Sequence, residues 1–329
     1  MITTVSLMLS EKFNPRQIAR LGPRATYGQA LLEFAKVNDS VIAMSADLGN
    51  SSGLDRFKAT FPNRFINVGI AEQNLVGVAS GISQLGYVPY ASSFAPFLAC
   101  RALEQIRMNL GYMASNVKLV AIGSGISMGY LGNSHFGLED AGLIHAIPGI
   151  TIISPADCIE VVNAVEACAR TNDPTFIRLT GLPNSPMVYE ESSEFEIGKA
   201  VEIRPIGDIT FVASGSMVAT CLSAAKILEE TGLSVGVVNM HTLRPLDETC
   251  LTSIANQSRL IVSAEEHAVT SGLNSVVGDF LQRNKFSIPQ IKLGLPPKFL
   301  ENGSYEYLMK RYELDADSIV KKILHELKQ

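Results

Sequence analysis

The stretch from residue 66 to residue 81, INVGIAEQNLVGVASG, changes its hydrophobic period in the middle. Its opening completes the β-branched run RFINVG (64–69), Gly69 interrupts it, and Leu75, Val76, Ala79 and Ile82 then follow at helical spacing. A short apolar strand feeding directly into an amphipathic helix is the repeating unit of a parallel sheet covered by helices. Glu72 stands in the first turn of that helix, on the face it shares with Leu75, Val76 and Ala79. An acid in a first turn is favoured by the exposed N–H groups and the helix dipole and needs no function. A carboxylate on the apolar face is also a candidate for chemistry.

The same alternation runs outward in both directions. Apolar runs SVIAMSADL (40–48), YVPYASS (87–93), VKLVAIG (117–123), GITIISPAD (149–157) and PTFIRLTG (174–181) are separated by amphipathic stretches. LPNSPMVYEESSEFEIG (182–198), rich in Pro, Ser and Glu, reads as a linker. A second series follows: DITFVASGS (208–216), a helix through 217–231, LSVGVVNM (233–240), RLIVSAEE (259–266), a helix near 270–283 and SIPQIKLG (287–294). The pattern predicts an α/β protein of two doubly wound domains with largely parallel sheets, spanning 22–190 and 191–329. Residues 1–21 read as a poorly ordered N-terminal arm.

Composition bounds the partners. In 329 residues, 47% hydrophobic and 18% charged with a net charge of −5, nothing suggests nucleic acid or a membrane surface. No apolar run is long enough to span a bilayer, and the first residues do not resemble a secretory signal, so a cytoplasmic protein is expected. Cys100, Cys158, Cys168, Cys221 and Cys250 are widely spaced without a CxxC and read as reduced core thiols, with no metal cluster expected.

In open parallel sheets ligands lie beyond the carboxyl ends of strands. Three stretches place polar or aromatic residues there: SADLGNSSG with Asp47, VGIAEQN with Glu72, and ASSFAPFLACRALEQIR with Phe94 and Phe97. Singly, each has an ordinary structural reading as a cap, a first-turn acid or core packing. Their joint order is more informative.

Ser45-Ala46-Asp47-Leu48, Gly69-Ile70-Ala71-Glu72 and Ser93-Phe94-Ala95-Pro96-Phe97 occur in that order, followed by GNSHFGLEDAGLIHAIPGITIISPAD (132–157), VASGSMVATCLSAAKILEETG (212–232) and VVNMHTLRPLD (237–247). This series resembles the pyrimidine-binding and C-terminal domains of transketolase and of the related deoxyxylulose-phosphate synthases, which use thiamine diphosphate. The resemblance implies transfer of two-carbon ketol units from a ketose or its phosphate to an aldose or its phosphate. It makes Glu72 the carboxyl group that exchanges a proton with the cofactor's pyrimidine nitrogen N1′, a task that an apolar setting favours. Phe94 and Phe97 become the wall for the pyrimidine, with Asp47, Leu48 and Ile70 near the cofactor. His135 becomes a contact to the substrate's oxygens.

The family's G-D-G…N-N motif, which holds Mg²⁺ on the diphosphate, is absent from these 329 residues. The resemblance therefore implies the C-terminal half of a split transketolase, with the magnesium ligands on an N-terminal partner subunit and an α2β2 assembly. Two departures concern the substrate. Leu131 stands where the family usually has an Asp for a donor hydroxyl, and Gly181 where it has a phosphate-binding Arg. Arg178, in the place of an Arg of the deoxyxylulose-phosphate synthases, is the substitute candidate, with Arg101 and Arg107 further candidates for an anionic contact. A decarboxylating condensation of the deoxyxylulose-phosphate type, a 2-oxo acid dehydrogenase β-type subunit and a non-catalytic partner subunit are the alternatives. Glu265-Glu266-His267 ends a strand of the second domain, which in this family supports the dimer and does little chemistry.

Overall fold

The apolar runs pair as strands in a computed structural model that describes residues 8–191 and 194–328. In chain order the strands are β1 (Val41–Ser45), β2 (Phe65–Asn67), β3 (Val88–Phe94), β4 (Lys118–Ile122), β5 (Thr151–Ile153) and β6 (Thr175–Leu179). The second half adds β7 (Val201–Arg204), β8 (Ile209–Ala213), β9 (Val235–Asn239), β10 (Thr242–Arg244), β11 (Leu260–Ala268) and β12 (Gln290–Leu295). Among the described residues they form a seven-stranded sheet in the order β10-β5-β6-β4-β3-β1-β2 and a five-stranded sheet in the order β12-β11-β8-β9-β7.

Every pairing is parallel except β10 on β5 and β7 on β9. The two antiparallel strands are the ones absent from the sequence reading. Both are short edge strands, and the side chains of β7 are mixed in polarity and only partly buried. The strands read from the sequence are legible because β1, β3, β4, β6, β8 and β9 are buried along their whole length, and burial on both faces demands continuous apolar runs.

β10 leaves the second half and completes the edge of the first sheet. Core packing crosses with it: Val238, Met240, Leu243, Leu251 and Phe280 belong to the same apolar cluster as Leu75, Val76 and Leu119. The linker is held too. The N–H groups of Val188 and Tyr189 donate to Asp157 Oδ2 at 2.8 and 2.9 Å, and the Phe195 ring stacks on His241 with centroids 4.2 Å apart.

The described part of the N-terminal arm is packed, which corrects the expectation of disorder there. Residues Leu9–Lys12 form one tight turn and Pro15–Leu21 a helix, capped by the Asn14 side chain, which accepts from Gln17 N–H at 3.2 Å. Leu9 and Ile18 are buried, and Leu9 N–H donates to Glu166 Oε2 at 2.7 Å. Residues 1–7 lie outside the described residues. Among the described residues no helix is long and apolar enough to cross a membrane.

The strand order fixes where a ligand belongs. From β1 the chain passes to β2 on one side and then to β3 on the other, so the order reverses between β1 and β3. A crevice opens outside the carboxyl ends of strands at such a reversal. Asp47 follows β1 there, and Phe94 ends β3.

Candidate active site

β2 ends at Asn67, but Val68 N–H still donates to Ser45 O at 3.0 Å, and Gly69 then turns the chain with φ 76°. Only a residue without Cβ adopts that conformation readily. The helix Glu72–Ser83 starts three residues later, with no side-chain cap at its N-terminus. The Glu72 carboxylate, 1% exposed, turns away from its own helix end. Oε1 accepts from Ser93 Oγ at 2.9 Å and Oε2 from Arg101 Nη1 at 2.6 Å. These contacts correct the purely apolar setting expected from the sequence: the carboxylate is ion-paired at its solvent side and hydroxyl-bonded at the other.

Phe97–Arg101 forms a wide helical turn directly after β3, which brings Phe97 and Arg101 onto one side. The guanidinium lies 4.3 Å from the Phe97 ring centre, and Phe97 meets Phe94 edge to face at 5.6 Å. His135 closes the group, its ring 5.3 Å from Phe94 and 5.1 Å from Phe97. Burial, aided by the charge of Arg101, lowers the His135 pKa below its ordinary value, which favours the neutral imidazole. Ser134 Oγ lies 2.9 Å from His135 Nδ1; if the hydroxyl donates there, the free ring proton is on Nε2.

Glu72, Phe94, Phe97, Arg101 and His135 thus form one contiguous patch of buried carboxylate, cation, aromatic edges and neutral imidazole. Such a patch can hold a flat heteroaromatic ring and exchange a proton with one of its nitrogens. At its edge Asp47 sits at φ 61°, a conformation uncommon for a residue with a side chain. Asn67 holds it there: Asp47 N–H donates to Asn67 Oδ1 at 2.9 Å, Gly69 N–H donates to the same Asn67 Oδ1 at 3.1 Å, and Asn67 Nδ2 donates to Asp47 Oδ1 at 3.1 Å. Leu48 N–H donates to Ser45 Oγ at 2.9 Å, and Ile70, 79% exposed, stands at the rim.

Sequence reasoning missed Ser93 and Asn67. A hydroxyl inside the apolar run of β3 is the available signal for Ser93, because a buried hydroxyl needs a partner.

Of the other candidates, Leu131 stays on the segment that leads to His135, while Arg107 and Arg178 fall elsewhere. Leu131 is 54% exposed on the tight segment Gly129–Ser134. Arg107 forms an exposed pair with Glu104 at 2.7 and 2.8 Å. Arg178 is not a substrate contact: it is 0% exposed, bidentate to Asp140 at 2.9 and 2.9 Å, and bonded to Glu265 Oε1 at 3.0 Å and Glu266 O at 3.3 Å. Its side chain bridges Asp140 of its own half and Glu265 of the second, both buried, and an incoming phosphate would have to break these bonds.

Glu265, Glu266 and His267 are the other side of this junction, fully buried inside the chain. Glu266 accepts from Ser216 Oγ at 2.6 Å, Tyr305 OH at 2.7 Å and Ile126 N–H at 2.7 Å. Among the described residues no group of three or more His, Cys, Asp or Glu side chains is placed to hold a metal ion, and all five cysteines are free.

Residues 21–181 match the transketolase pyrimidine-binding domain and residues 198–319 the transketolase C-terminal domain. The 6-deoxy-6-sulfo-D-fructose transketolase subunit SqwH of Clostridium sp. (strain MSTE9) is 35% identical over 91% of this chain and 92% of its own length. An apulose-4-phosphate transketolase subunit of Phocaeicola vulgatus is 30% identical over 93% of this chain and 97% of its own. The structure of a split-gene transketolase, an inactive β4 tetramer, aligns with a TM-score of 0.85 at 37% identity, over 93% of this chain and 98% of that one. Transketolase of Campylobacter jejuni shares the fold, with a TM-score of 0.74 at 21% identity over 92% of this chain and 46% of that one.

Proposed function

Because the chain belongs to the transketolase family, we propose that it supplies the pyrimidine side of a thiamine-diphosphate site that moves two-carbon ketol units between sugars or sugar phosphates. The observation that carries this is the burial of the Glu72 carboxylate against Ser93 beside the Phe94–Phe97–His135 aromatic group, at the carboxyl ends of β1 and β3.

The residues present fit one end of the cofactor. Phe94 and Phe97 offer an apolar wall for a heteroaromatic ring, Glu72 a carboxyl group for a ring nitrogen, and the strained Asp47–Leu48 turn with Ile70 a rim. For the diphosphate and its magnesium, no described group of three or more His, Cys, Asp or Glu is placed to hold the ion, and the G-D-G…N-N motif is missing. Both belong to an N-terminal partner subunit, in an α2β2 assembly whose cofactor lies between chains. The similar β4 tetramer is inactive, which supports the need for such a partner.

When bound, thiamine diphosphate supplies the carbon nucleophile that takes up and passes on the two-carbon unit. Glu72 holds and moves a proton at pyrimidine N1′, and Ser93 fixes the orientation of its carboxyl group. Arg101, 47% exposed, has room to turn into solvent when Glu72 Oε2 takes another partner. Neutral His135, held between aromatic edges, donates its remaining ring N–H to a sugar oxygen that gains charge.

The test is reconstitution with an N-terminal transketolase section carrying G-D-G…N-N. The chain alone is expected to show neither tight binding of thiamine diphosphate with Mg²⁺ in calorimetry nor ketol transfer, and the complex both. Tight binding by the chain alone, or a complex without ketol transfer, overturns the reading.

A further inference from the structure

The segment that carries His135, residues 124–142, leaves β4 and wanders over the junction of the two halves before it reaches β5. Within its own domain it is tied by the Gly125–Gly137 backbone pair at 2.9 Å in each direction and by Ser124 Oγ donating to Asp140 Oδ2 at 2.9 Å. Ser124 N–H also donates to Leu179 O at 3.1 Å and Arg178 holds Asp140, and further ties come from the second half, on both sides of the histidine. Before it, Ile126 N–H donates to Glu266 Oε1 at 2.7 Å; after it, Leu138 O accepts from Ala268 N–H at 2.9 Å.

The contact nearest His135 is a double one. Asn133 uses both ends of its amide on a single residue, Nδ2 donating to Leu300 O at 2.7 Å and Oδ1 accepting from Leu300 N–H at 2.7 Å. Two glycines let the backbones approach. Gly132 has φ 70° and ψ −158°, and a Cβ there would lie 2.2 Å from Asn302 Oδ1. A Cβ on Gly129 would lie 2.4 Å from Gly303 O. The glycines and the asparagine of GYLGNSH are therefore explained by one surface, residues 300–303.

We propose that residues 300–303 of the second half are a seat that fixes the His135 imidazole over the aromatic pair, with Asn133 and Gly132 as positioning residues for the sugar-handling step. The second half then acts in catalysis through the histidine of the first. This rests on the assignment of His135 as the substrate contact, and the test keeps the two separable.

Asn133→Ala removes both amide bonds; Asn133→Asp keeps the acceptor for Leu300 N–H and loses only the donor to Leu300 O. In the chain alone, histidine-selective NMR reads the seat without cofactor. The His135 ring protons are displaced by the Phe94 and Phe97 ring currents, and this displacement should collapse in Asn133→Ala and shrink in Asn133→Asp. In the reconstituted complex, donor kcat/KM should fall about 10–100-fold in Asn133→Ala, in line with the effect of misplacing a reacting group by about 1 Å. Deuterium exchange at the cofactor's thiazolium C2, which depends on Glu72 and not on His135, should stay within about twofold of wild type.

Unchanged His135 signals with unchanged donor kinetics overturn the seat. So does an equal loss of C2 exchange and donor turnover, which marks general damage. Should Asn133→Ala fail to fold, Asn133→Asp carries the same comparison. A wild-type complex without ketol transfer, by contrast, sinks the functional reading while the NMR arm still decides the seat.

Discussion

Arg178→Leu separates a structural arginine from a substrate-binding one. In the folded chain the guanidinium makes three bonds to carboxylates, two to Asp140 and one to Glu265, and a fourth to Glu266 O, all fully buried. Leucine leaves both carboxylates in place. Asp140 keeps Ser124 Oγ at 2.9 Å, and Glu265 keeps Leu273 N–H at 2.7 Å, so neither is wholly abandoned. Removing one partner of a buried pair costs about 3–5 kcal/mol, and the retained bonds place this variant inside that range rather than at twice it. The pH dependence carries a signature. Burial pushes the Asp140 carboxyl up, but the charge and hydrogen bonds of Arg178 outweigh it and hold it below the ordinary carboxylate range.

A depressed folded pKa contributes stability above the unfolded value, about 3.9, and loses it as pH falls through the folded one. In the variant burial acts unopposed by Arg178, so protonation near pH 4 recovers part of the loss. Chemical unfolding of the chain at pH 7.5 and pH 4.5 should therefore show a larger gap from wild type at the higher pH. Arg178→Lys, which keeps the charge but not the fork, should fall between. A change below about 1 kcal/mol, together with weaker binding of phosphorylated donors, would refute the buried assignment.

Glu160 gives the opposite sign: burial pushes its carboxyl up to about 7, so its contribution to stability is present below the unfolded value near 4.3 and is lost as pH rises through 7. Glu160→Gln should flatten the fall in melting temperature between pH 5 and 8, and an unaltered slope would contradict this. Arg101→Ala leaves Glu72 with Ser93 alone, so the chain should lose about 1–2 kcal/mol in unfolding while the complex keeps its affinity for thiamine diphosphate in calorimetry. Tenfold weaker cofactor binding would instead make Arg101 part of the cofactor site. Leu131→Asp should shift preference among donor ketoses by about tenfold toward those presenting a hydroxyl there, and an unchanged donor profile would show that this position does not face the donor.

The sheets were legible because a strand buried on both faces leaves little choice of residue, as VIAMS of β1 and KLVAI of β4 illustrate, Lys118 lying at the start of the latter. β7 (VEIR) and β10 (TLR) were not, since neither stands in an apolar run of the kind that RFINVG supplies around the equally short edge strand β2. Glu72 could be placed after its strand from spacing alone. Its ion pair could not, because Arg101 lies 29 residues away and is brought back by a wide turn that no residue pattern signals.

Arg178 misled for a related reason. The resemblance to the deoxyxylulose-phosphate synthases made it a phosphate contact, and only its pairing with Asp140 and the docking of the second half, with Glu265 87 residues further on, turn it into a buried strut. The packed arm was readable in part: Asn14-Pro15 is a helix start, but the seats of Leu9 and Ile18 against the helix Cys158–Ala169 are tertiary.

The central claim, that Glu72 moves a proton at the cofactor's pyrimidine, is tested most directly by deuterium exchange at the thiazolium C2 in the reconstituted complex, before any sugar is added. Glu72→Gln keeps an oxygen for Ser93 and most of the packing but loses the ion pair to Arg101, so assembly should survive, with melting lowered no more than in Arg101→Ala. The exchange rate should fall by about 10²–10⁴, the usual loss for a general acid–base group. Exchange as fast in Glu72→Gln as in wild type would contradict the account, whatever the sugar kinetics show.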